Sequence, residues 1–184
     1  RLSDGTNQVL AIASVLGREF RLDVLQRVAG LPEEAVERAL EEAGAVAVME
    51  QRQAVGSLGF RFTHAFFRQT LYEEIFAARR LRLHQQVARA LETVYGRRVE
   101  EHASELAEHF AQSTDANDLQ KALEYSELAA KRALVVYAYS EAVKHYEQAL
   151  KVLEVLDPDN KAKRCDLLLA LGAARTTPPK PLQA

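Results

Sequence analysis

A mainly helical fold with one small β-ribbon is what this sequence predicts, from three observations. Ala, Leu, Glu and Arg dominate while only 8 glycines are spread over 184 residues, a composition that favours helix. Apolar residues recur at helical spacing through most of the chain. The period changes to two only between residues 46 and 62.

Val9, Ile12, Ala13 and Leu16 mark a first helix, with Gly17 as its stop. Leu22, Leu25 and Val28 mark a second, closed by Gly30. The third opens at Leu31-Pro32-Glu33-Glu34, where proline suits the first helical position and the acids suit the positive end of the helix dipole. Val36, Ala39, Leu40 and Ala43 give it an apolar face, and Gly44 is its expected end. Val46 and Val48, then Leu58, Phe60 and Phe62, alternate as half-buried strands do, and Gln53–Ser57 with Gly56 reads as the turn between them. Three short helices followed by a two-stranded ribbon is the winged-helix arrangement, expected over residues 1–78.

From Thr63, an expected helix cap, the chain reads as helix almost to its end. Phe67, Leu71 and Ile75 form one apolar stripe, and Leu83, Val87, Leu91 and Val94 another. After a break at Gly96 come Ala103, Leu106, Ala107 and Phe110. The polar link Gln112–Asp118 precedes two long helices near Leu119–Tyr137 and Ser140–Leu156, and a last one near Lys161–Arg175. Ala129, Ala130 and Ala133 set small residues on one face, and Tyr139, Ala142, Tyr146, Ala149 and Leu150 follow at the offsets of a tetratricopeptide unit of about 34 residues. Leu171-Gly172 restarts the pattern. A helical-hairpin array is therefore expected over residues 79–176, with further repeats to follow, because one hairpin cannot bury both its faces. The proline-rich 177–184 is expected to be a disordered tail.

The net charge of −2 gives no global reason to expect nucleic acid or membrane as partner. Locally, acids dominate from Glu33 to Glu50 and arginines from Arg61 to Arg98. No apolar run reaches the roughly 18 residues of a membrane span. Cys165, alone, cannot close an internal disulfide; it fits a reducing, cytoplasmic setting and reads as an inert, partly buried thiol. With no Met at its start, the chain reads as a piece of a longer polypeptide. His64, His84, His102, His109 and His145 lack metal-ligand spacing, and Ser14 and Ser104 lack a hydrolase elbow, so neither metal nor catalytic residues are expected. The acid pairs Glu33-Glu34, Glu41-Glu42 and Glu100-Glu101 read as solvated charge.

Four stretches together carry a resemblance: Val15-Leu16-Gly17-Arg18-Glu19-Phe20, Phe60-Arg61-Phe62-Thr63-His64-Ala65-Phe66-Phe67-Arg68, Arg79-Arg80-Leu81-Arg82-Leu83-His84, and Ser104-Glu105-Leu106-Ala107-Glu108-His109-Phe110. From about Asn7 to Gly172 the chain resembles the region after the nucleotide-binding domain in bacterial signal-transduction ATPases with numerous domains, the STAND class, among them regulators fused to cyclase, kinase or LuxR-type domains. The resemblance implies a winged helix packed on an upstream domain of the same chain that binds ATP or ADP, and helical repeats that sense a protein or small-molecule effector. No G-x-x-x-x-G-K-[ST] occurs here, so no cofactor is expected within these residues. Relatives of that class place a histidine, within Met-His-Asp, on the ADP β-phosphate; Thr63, His64 and Ala65 occupy the matching positions, keeping the histidine alone. Thus His64, with Arg68 one turn on, is the candidate phosphate contact; capping or packing at the strand–helix junction is the alternative for His64, and an ordinary surface arginine for Arg68. A DNA-binding winged helix with a ligand-sensing helical domain is the rival, opposed by the acidity of its would-be recognition helix, Pro32–Ala43.

Overall fold

The computed structural model describes residues 2–54 and 57–176. It is mainly helical, with a small three-stranded antiparallel sheet, and divides into two compact units, Arg1–Val94 and Tyr95–Ala184. The boundary read from the sequence lies after residue 78. The expected tail at 177–184 and the centre of the expected turn, residues 55–56, lie outside the described residues.

In the first unit α1 spans Asp4–Leu16. Ser3 caps it by accepting from the Thr6 N–H at 3.2 Å, and both hydroxyls, with the Ser3 N–H, donate to the Glu42 carboxylate. Glu42 is therefore a bonded residue rather than solvated charge. These bonds, the one from Thr6 foremost, hold its carboxyl below the usual range. Gly17, at φ 137°, ends the helix. Strand β1, Glu19–Arg21, leads into α2, Leu22–Ala29, which stops at left-handed Gly30. Helix α3 spans Glu33–Ala45, with Pro32 at the cap rather than in the first turn. Gly44 does not end it. The chain leaves through Val46, which is exposed, and through Ala47 at φ 57°, so the strand begins later than the valines suggested.

Strand β2 spans Met49–Ala54 and β3 Ser57–Phe62, and the sheet order is β1-β3-β2. The expected ribbon gains a third strand because Phe20 pairs with Phe60. Alternation gives the sheet two unlike faces. One carries Phe20, Phe60, Phe62 and Met49. The other carries Arg61, whose register partners are Glu19 on one side and Glu50 on the other, and which forms ion pairs with both. Gly59 suits a close approach: a Cβ there would lie 3.1 Å from the Phe20 carbonyl oxygen, a tight contact with paired backbone. Helix α4, Ala65–Glu73, and α5, Ala77–Tyr95, follow, with Ile75 buried between them. Arg27, Val28 and Gly30 share a shallow cavity with Gln86, Arg89, Ala90 and Thr93, which places α5 beside the end of α2.

In the second unit Tyr95 stacks on His102, ring centroids 3.5 Å apart, across a 3-10 segment at Gly96–His102. Then come α6, Ala103–Phe110; α7, Ala116–Val135; α8, Tyr139–Leu156; and α9, Lys161–Thr176. Asp115 caps α7 by accepting from the Asn117 and Asp118 N–H groups. From α7 on, each helix packs on the one before it. Ala122, Ala130, Ala142 and Ala149 are fully buried, and side chains this small allow close approach of helices. Tyr137, at φ 60°, makes the turn between α7 and α8.

Candidate functional site

The strand–helix junction is built by backbone pairing. Phe62 N–H donates to the Arg18 carbonyl and Thr63 N–H to the Val48 carbonyl. The Thr63 hydroxyl donates to the Ala47 and Val48 carbonyls, at 2.7 and 3.2 Å, so Thr63 serves the sheet rather than capping α4. His64 takes the cap position in extended backbone, with no side-chain cap bond. Its ring is exposed and lies 5.8 Å from that of Phe67.

Arg68 is anchored inward. Its Nε donates to the Ser14 carbonyl on α1 at 2.9 Å, and its guanidinium lies 5.7 Å from the Tyr72 ring centroid. It is thus tied to α1 rather than an ordinary surface arginine. Arg80, from α5, approaches the same ring at 5.1 Å. The Tyr72 hydroxyl and His84 Nε2 share a 2.9 Å hydrogen bond, the donor depending on the tautomer. Burial pushes the His84 ring down to about 4, and the positive charges of Arg68 and Arg80 add to that. An imidazole bonded to a phenol thus lies close enough to two guanidinium groups to feel their charge. Of these four residues, Arg68 alone stands beside the His64 motif in the sequence. The spacing of four from Arg68 to Tyr72, and again from Arg80 to His84, is the signal that places each pair on one helix face.

A second feature of this unit lies between α3 and the apolar face of the sheet. A cavity of about 310 Å³ is lined by Leu22, Glu37, Leu40, Glu41, Gly44, Met49, Gln51, Leu58 and Phe60. Nothing in the sequence reading grouped these residues, because they come together only through the strand register.

In the second unit, a cavity of about 410 Å³ is lined by Gln120 and Leu123 of α7, Leu153 and Leu156 of α8, and Asp157, Asn160 and Lys163. Helix α9 buries Leu167, Leu171 and Ala174 while Leu168 and Leu169 stay exposed. Cys165 is exposed on the same helix, not partly buried, because it lies away from the face that meets α8. His102 is stacked on Tyr95, and His109 and His145 are buried. No cluster of three or more His, Cys, Asp or Glu side chains suited to a metal occurs among the described residues.

No protein-family model, curated protein or solved structure matches this chain.

Proposed function

We propose that this chain is a non-catalytic regulatory and protein-interaction segment of a larger STAND-type ATPase. In this reading the first unit is a winged helix that packs on an upstream nucleotide-binding domain. The second is a tetratricopeptide-like array that receives a protein or small-molecule effector. The supporting observation is the alanine-lined stack from α6 to α9, whose last helix presents Leu168 and Leu169 to solvent. Exposed apolar side chains on a packed scaffold are compatible with a partner surface there. The sequence resemblance supplies the ATPase setting, and the exposed ring of His64 is available to a phosphate of that upstream domain. Exchange of ADP for ATP there would release the first unit and shift the array between two states.

Duplex DNA fits less well. Helix α3 carries Glu33, Glu34, Glu37, Glu41 and Glu42 against Arg38 alone, and phosphate neutralisation dominates DNA affinity. The test is to purify the full-length protein containing this segment, denature it and identify released nucleotide. Stoichiometric ADP is the expected result, and His64→Ala should then speed ADP loss. Absence of nucleotide, with duplex binding by this chain that strengthens as salt falls, would replace the proposal with a DNA-binding regulator.

A further inference from the structure

The cavity between α3 and the sheet combines two chemistries that no contact within the chain brings together. Its floor is apolar: Leu40 and Met49 are buried, and Leu58 and Phe60 are half-buried. Its rim is anionic. Glu37 and Glu41 are four residues apart on α3, hence on one helix face, and both are exposed. Neither forms an ion pair or side-chain hydrogen bond among the described residues. The nearby cations are directed elsewhere: Arg21 pairs with Asp23, and Arg52 and Arg61 pair with Glu50. Arg38 projects about 100° round the helix from Glu37 and stands three residues before Glu41, yet it forms no ion pair with either among the described residues.

From this charge complementarity we infer that the cavity is a docking pocket for a lysine or arginine side chain, presented by a basic-apolar segment of a protein partner. Such a side chain has the two parts the pocket asks for. Its methylene stem covers Met49, Leu58 and Phe60, while its charged head stays at the wet rim between Glu37 and Glu41. The volume of about 310 Å³ holds one such side chain and part of a neighbouring residue. The partner's backbone has a place as well. Strand β2 is an edge of the sheet, and Gln51 in its middle lines the cavity. An extended segment can pair along that edge while alternate side chains enter the pocket. The same acidity that opposes DNA on α3 thereby selects a cationic peptide. None of this depends on the ATPase setting proposed above.

Met49 provides the readout, because it is the chain's one methionine and lines the cavity. The full chain, labelled with methyl-¹³C methionine, is titrated with a capped pentapeptide alternating valine and lysine. The parallel titrants are the valine–glutamine peptide and n-butylammonium. The lysine peptide should shift the Met49 methyl resonance saturably, the glutamine peptide should not, and n-butylammonium should act only at far higher concentration. The double variant Glu37→Gln, Glu41→Gln changes two exposed side chains and should fold normally by circular dichroism. It should weaken lysine-peptide binding roughly fivefold. Equal shifts from both peptides, an unchanged affinity in the double variant, or no saturable shift at all would overturn the proposal. Butylammonium matching the lysine peptide would replace a peptide site with one for small organic cations. ADP found or missing in the full-length protein leaves each of these outcomes unchanged.

Discussion

The two units bury their interiors on different frames, one over a sheet and the other between helices alone. The first relies on large side chains meeting over a sheet, with Phe62 fully buried and Phe20 at 6.1 Å from it, centroid to centroid. Its polar groups are tied across long sequence separations, as in Glu42 to Ser3 and Arg68 to Ser14. The second fully buries Phe110 and Leu106 as well, and sets fully buried alanines between helices that are neighbours in sequence. Among its described residues, the buried Ser126 Oγ and His145 Nδ1 lack hydrogen-bond partners. Large side chains over a sheet give a core closed by many distant parts of the chain. Small side chains between successive helices let those helices approach closely.

The contrast can be broken first at Phe62. Phe62→Ala removes a fully buried ring and should cost about 4 kcal/mol, read by urea unfolding with the Met49 methyl resonance reporting the first unit. The reciprocal change, Ala130→Leu, adds bulk where the second unit has no room. It should cost about 3 kcal/mol and leave that resonance in place. A loss of similar size in both units from either variant would mean that they do not fold separately. The third effect is a pH dependence. His84, held neutral to about 4 in the fold, titrates near 6.5 when unfolded, so the unfolded chain takes up the proton first. Stability is then full above about pH 6.5 and falls as the pH drops toward 4, by about 2 kcal/mol after allowance for partial solvent access. His84→Gln should flatten that slope in the first unit. His145, lowered chiefly by its own burial, pushes the second unit in the same direction. A slope unchanged in His84→Gln would assign the effect elsewhere.

Local signals were legible where they depend on neighbours in sequence. Gly17 and Gly30 end α1 and α2 as read, since positive φ there suits glycine. Signals set by distant partners were not. The Thr63 hydroxyl looks like a cap until Ala47 and Val48 are seen to receive it. Gly44 looks like a stop, yet the exit conformation falls to Ala47. Strand β1 is three residues long, too short for a period to show, and exists because β3 lies beside it. The site followed the same rule. His64 and Arg68 could be proposed from sequence, but the anchoring of Arg68 to Ser14 spans 54 residues. The cavity beside α3 needs the register of Gln51 with Phe60 before it exists at all.

Helix α9 buries three side chains on one face and leaves two leucines in water. Among the described residues α7 is packed by both α6 and α8, whereas α9 packs chiefly on α8. Amide exchange in this chain should therefore be quicker in α9 than in α7, so that the stack loosens one helix at a time rather than all at once.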